Sequence, residues 1–169
     1  RLVMAGFSIG GFFAAHMAGR TQVDALVSIA PNGGSDMKQL DDQLARAREL
    51  IAQGRGQQPT LLYDAAVVGS ERYELPAATP AAYVSWYDPK GAMNWRGVWQ
   101  RLRPGTPVFL VVPAKGLANL RKVKRELWEG LPPHRANKLY EPRADHLGAS
   151  MASADAAAAW LKETVESPA

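Results

Sequence analysis

The sequence predicts an α/β protein built on a parallel sheet with helices on both faces. Three observations carry this. Short runs that are apolar throughout, such as V-D-A-L-V-S-I-A at 23–30, have the character of buried parallel strands. They alternate with longer segments of helical character, the order a parallel sheet covered by helices requires. The chain also opens on an apolar run, Leu2-Val3-Met4-Ala5, that passes through G-x-S-x-G (Gly6 to Gly10) into about ten residues without a helix breaker.

That opening reads as a strand, a sharp turn and a helix, the layout of a nucleophile elbow. Such a turn puts its serine in a strained backbone conformation at the strand's carboxyl end, and Gly6 and Gly10 are expected to be glycine because a Cβ at either would clash with the neighbouring strand or helix. Ser8 is then the candidate nucleophile. The helix, expected over Ile9 to about Ala18, aims its free N–H groups and positive dipole end at the same point, so the Ile9 amide is the candidate donor to a developing oxyanion. The bland alternative is a glycine-rich strand-to-helix turn of another α/β fold. A dinucleotide-binding G-x-G-x-x-G is not present.

The second strand, Val23 to Ala30, ends at Pro31-Asn32-Gly33-Gly34. About 75 residues then intervene before the third, Pro107 to Val112, far more than the roughly two to six of an ordinary link, so this stretch is expected to be an inserted unit. Within it, Ser35 or Asp36 can cap a helix carrying Met37, Leu40, Leu44, Ala47 and Ile51 on one face and ending at Gly54. Gly54 to Pro59 reads as a polar loop. Thr79-Pro80 starts a further helix, Asp88-Pro89-Lys90-Gly91 breaks it, and Asn94 to Leu102 forms one more. Beyond the third strand come a helix over Leu117 to Glu129, a short strand near Asn137 to Tyr140 and a helix over Ala152 to Val165.

At 169 residues, 47% apolar and 21% charged, the chain has the make-up of a globular domain. Its net charge of +4 is dispersed. The densest basic stretch, Arg121, Lys122, Lys124 and Arg125, alternates with Leu120, Val123 and Leu127 and reads as a solvated helix face, so no nucleic-acid partner is expected. No run of residues is apolar for long enough to span a membrane. With no cysteine and three scattered histidines, neither thiolate chemistry nor a metal site is expected. The chain begins at Arg1 with its first strand at the second residue, and so reads as part of a longer protein whose compartment stays open.

The elbow, the strand–helix alternation, the long insertion and a histidine loop after the fourth strand together resemble the C-terminal half of an α/β-hydrolase. The resemblance implies that these are the family's fifth to eighth strands, with residues 1–34 and 103–169 forming a partial core and 35–102 a helical cap. It implies that the strand carrying Ser8 is an unprotected edge, a hazard for aggregation. Ser8 matches the family's nucleophile, Ile9 its first oxyanion-hole amide, and His146, in Ala144-Asp145-His146-Leu147-Gly148, the base that takes the serine's proton and returns it to the leaving group. His16, inside the helix behind Ser8, reads as a packing or surface residue, and His134 as a solvated turn residue.

The family's acid has no counterpart at its usual places. Gly116 stands where the acid would follow the third strand, and Ala30-Pro31-Asn32 follows the second. The nearest carboxylates are Asp36 and Asp88, each with a second reading as a helix cap or an Asp-Pro turn; Asp145 reads as loop support. Tyr83, Trp86, Tyr87, Trp95 and Trp99 are either the wall of an apolar pocket or the small core of the cap. The resemblance implies a cofactor-independent serine hydrolase that cleaves a carboxylic ester or related small acyl compound through an acyl-enzyme. The missing acid motivates the alternatives, a non-catalytic hydrolase-fold protein that binds a ligand or partner, or a fragment inactive by itself.

Overall fold

Strands apolar on both faces need cover on both faces, and a computed structural model, which describes residues 1–32, 41–68 and 71–166, has that arrangement. In chain order the elements are β1 (Val3–Phe7), α1 (Ile9–Ala18), β2 (Ala25–Ile29), α2 (Asp41–Ala52), β3 (Thr60–Val68), β4 (Glu71–Ala78), α3 (Pro80–Tyr87), α4 (Trp95–Gln100), β5 (Val108–Val111), α5 (Ala118–Glu129), β6 (Lys138–Tyr140) and α6 (Ala149–Leu161), which runs on into a π-helical turn at Lys162–Glu166. The chain divides into two compact units, Arg1–Asn32 with Arg96–Ala169, and Gly33–Trp95.

In the first unit the strands form one sheet in the order β1-β2-β5-β6, every pair parallel. Phe7 lies opposite Ile29, Ile29 opposite Val111, and Val111 opposite Tyr140, so all four carboxyl ends emerge along one edge. Among the described residues β1 pairs with β2 alone.

Alternation along β2 sorts the two faces. Ala25 and Val27 join Phe109 and Val111 of β5 in a core with Ala157 and Trp160 of α6 and Val165. The Phe109 and Trp160 rings are 5.4 Å apart. On the opposite face Ser28, fully buried, donates its hydroxyl to the Gly11 carbonyl of α1 at 3.2 Å. From α1, Phe12 meets Trp99 of α4 edge-on at 5.9 Å, and the Trp99 Nε1–H donates to the Leu127 carbonyl of α5 at 2.6 Å. One apolar seam thus ties three helices together, each buried large side chain contributing roughly 1.5–3 kcal/mol. Trp99, grouped in sequence with the aromatics of the insertion, is therefore core of the first unit.

The second unit contains the expected helices. Thr79 caps α3 by accepting from the Ala82 N–H at 3.2 Å, with Pro80 in the first turn. Helix α2 buries Leu44 and Ala47, while Ile51, expected on the same face, is 39% exposed. Residues 35–40, where the start of this helix was expected, lie outside the described residues. Tyr83 and Tyr87 are buried with ring centroids 4.7 Å apart. The unit also holds an antiparallel pair, β3 with β4, where the sequence suggested no strand.

Candidate functional site

The carboxyl edge of a parallel sheet is where strand ends, loops and helix N-termini converge, and ligands commonly bind there. Here β1 delivers Ser8 to that edge. Ser8 has φ 55° and ψ −123°, outside the regions open to ordinary residues, and the conformation is held by three backbone hydrogen bonds. Its N–H donates to the Ile29 carbonyl at 2.9 Å, and its carbonyl accepts from the N–H groups of Gly11 at 2.9 Å and Asn32 at 3.1 Å. Ala30, just past β2, also has a positive φ of 44°. Two non-glycine residues in this region therefore sit side by side at one sheet edge, a pattern typical of functional sites.

The glycines of the motif divide differently from the expectation. At Gly6 a Cβ would lie 2.0 Å from the Gly10 carbonyl oxygen, so strand and helix meet too closely for any side chain. At Gly10 a Cβ meets nothing within 4 Å, which corrects the expectation that both positions are closed by a clash. The second tight position is Gly11, where a Cβ would lie 3.2 Å from Pro31 and from the Ser28 hydroxyl. The signal for it in the sequence was the Gly10-Gly11 pair itself.

His146 arrives from the loop between β6 and α6. That loop runs beside the one after β5, with Ala114 N–H donating to the Pro142 carbonyl at 2.9 Å and Lys115 N–H to the Ala144 carbonyl at 3.0 Å. Asp145 accepts from the Gly148 N–H at 2.7 Å, which closes the turn ahead of α6. The result sets His146 Nε2 2.9 Å from Ser8 Oγ, across 138 positions of sequence. The Phe7 ring lies 5.1 Å from the imidazole at a tilt of 33°. Burial pushes the His146 pKa below the ordinary histidine value, and the neighbouring Asp145 carboxylate opposes this in part. Burial thus favours the neutral ring, the form that has a nitrogen free to accept a proton. Ile9 is the first residue of α1, so its N–H has no intrahelical acceptor.

His146 Nδ1 is buried and has no hydrogen-bond partner among the described residues. Asp36 lies outside the described residues. Asp88, in the second unit, accepts from the Lys90 N–H at 2.9 Å and from the Arg48 guanidinium, and these bonds hold its carboxyl below the usual range. Gly116 sits in a turn so tight that a Cβ would lie 2.7 Å from the Pro113 ring. No side chain, acidic or otherwise, fits there without rebuilding the turn. The other histidines are accounted for. His16 is buried, its pKa lowered by burial and then by Arg20 and Arg101, and His134 Nδ1 accepts from the Ala136 N–H at 3.1 Å. Among the described residues no three His, Asp or Glu side chains group to hold a metal ion, and no helix is long and apolar enough to cross a membrane.

A parallel sheet with helices on its faces, and a strained serine turn at the carboxyl edge leading into a helix, define the α/β-hydrolase fold. Solved structures agree with this. The chain is similar to DcsB, solved in complex with its substrate analogue, with 21% identity, a TM-score of 0.68, and coverage of 95% of this chain and 64% of that one. It is similar to the α/β hydrolase GrgF from Penicillium sp. sh18, with 16% identity, a TM-score of 0.64, and coverage of 98% and 64%. For the esterase domain of a Rhodothermus marinus protein the identity is 15%, the TM-score 0.57, and the coverage 95% and 60%. This chain therefore spans somewhat under two thirds of the length of each. No protein-family model matches the chain, and no curated protein matches it in sequence.

Proposed function

We propose that this protein is a cofactor-independent serine hydrolase acting on a carboxylic ester or related small acyl compound. The observation that carries the reading is the 2.9 Å approach of Ser8 Oγ to His146 Nε2, with the serine in an elbow conformation at the start of α1. In the proposed reaction Ser8 Oγ attacks the carbonyl carbon as its proton passes to Nε2. The carbonyl oxygen becomes an oxyanion and accepts from the Ile9 N–H, which is already oriented by the helix start. His146 then protonates the leaving alcohol. Water, deprotonated by the same imidazole, hydrolyses the acyl-serine. Asp36 and Asp88 are the proposed acids of the site, although none of the described residues, Asp88 included, bonds Nδ1 in this structure, and the second unit is proposed as a cap.

An activated nitrophenyl ester tests this. A burst of one nitrophenol per protein ahead of slower turnover, lost in Ser8→Ala, is the expected outcome, because it reports an acyl-enzyme. A folded protein giving no burst contradicts the reading. Asp36→Asn and Asp88→Asn, read by the same burst, separate the two acids.

The pH dependence follows in sign. Proton abstraction needs neutral His146, so the burst rate is expected to fall as pH drops through a midpoint below the ordinary histidine value and to level off above it. A midpoint at or above that value contradicts the burial argument. That Nδ1 has no partner among the described residues favours a second reading, a hydrolase-fold protein that binds its ligand without cleaving it.

A further inference from the structure

We propose that Phe7 is a positioning residue for His146, its ring holding the imidazole plane so that Nε2 stays directed at Ser8 Oγ. Phe7 is the last residue of β1 and pairs with Ile29 of β2, so its backbone is fixed by the sheet one residue before the nucleophile. Gly6, its neighbour, faces α1, which the close approach to Gly10 requires; alternation sends Phe7 to the opposite face. There its ring meets the imidazole at 5.1 Å and 33°. A histidine base is ordinarily oriented by a hydrogen bond to its second nitrogen. His146 Nδ1 has no such partner among the described residues, and the tilted contact with Phe7 restrains the ring in addition to its hydrogen bond with Ser8. The same contact covers part of one face of the imidazole. The charged group that acts on the ring is Asp145, which precedes it and whose backbone is bridged to Lys115 in the loop after β5.

The inference rests on the hydrolase reading for its catalytic consequence but not for its physical one, and two readouts keep them apart. The first is the rate at which a fluorophosphonate labels Ser8; the second is the His146 ring titration followed by NMR, which needs no activity. Phe7→Ala is expected to slow labelling about tenfold, since small misplacement of a reacting group is costly. It is also expected to raise the His146 midpoint by about half a pH unit as water reaches the ring. Phe7→Tyr, which keeps the aromatic face, is expected to restore both. Should Phe7→Ala fail to fold, Phe7→Leu replaces it, with slower labelling again expected. Unchanged labelling and an unchanged midpoint overturn the proposal, as does Phe7→Tyr behaving like Phe7→Ala. If the wild-type protein is not labelled at all, the hydrolase reading fails, and the titration alone still decides whether Phe7 governs the imidazole.

Discussion

Replacing His146 by Ala is expected to slow acylation of Ser8 by roughly four to six orders of magnitude. An unassisted serine hydroxyl is a poor nucleophile near neutral pH, and His146 Nε2, 2.9 Å from Ser8 Oγ, is the group placed to take its proton. The other histidines offer no substitute, because His16 is buried in α1 and His134 Nδ1 is engaged by the Ala136 N–H. The pre-steady-state burst with an activated ester measures the effect. A loss of less than tenfold would remove His146 from the role of general base.

The second large effect concerns the fold of the elbow. Gly6→Ala sets a methyl group 2.0 Å from the Gly10 carbonyl oxygen, and neither partner is a flexible side chain that can move aside. The strand, the turn or the first turn of α1 must shift, at a cost on the order of 3 kcal/mol. Such a shift also disturbs the bonds that Ser8 makes to Ile29, Gly11 and Asn32, so the burst is expected to vanish along with the stability. Gly10→Ala is the control within the same motif. Its Cβ meets open space in a helix, so stability is expected to stay within about 1 kcal/mol of the parent. Urea unfolding of the two variants checks the contrast, and equal destabilisation would contradict it.

The contrast illustrates what the sequence carried. Local chemistry was legible: the breaker-free stretch after Ser8 is α1, Ile9–Ala18, and the apolar runs at 23–30 and 107–112 contain β2 and β5. The strained backbone expected at the serine is present, Ser8 having a φ of 55°. Tertiary approaches were not legible, because they depend on residues far apart in the chain. The motif cannot say that Gly11, not Gly10, meets Pro31, nor that Trp99 leaves the insertion to pack on Phe12. For the same reason Phe7 reads as one more apolar residue of a strand until His146 is placed against it.

The hairpin β3–β4 was hidden for a local reason. Its register is interrupted between Thr60 and Leu62 and between Tyr63 and Val67, which blurs the two-residue alternation that marks a half-buried strand. Pro76 in β4 further argues against a strand there, although Gly69-Ser70 between two strand-length runs was a hairpin signal in the sequence. Helix α6 begins at Ala149, three residues before the expected Ala152, because its turn is closed by Asp145 and Gly148, not by a serine or threonine cap.

The proposed function stands on activation of Ser8 by His146 in a preformed elbow. Mass spectrometry of the protein after exposure to a fluorophosphonate tests it most directly. A single adduct is expected on the peptide carrying Ser8, absent from Ser8→Ala and lost over the same exposure in His146→Ala. A folded protein that takes up no probe, or takes it up equally well without His146, would contradict it.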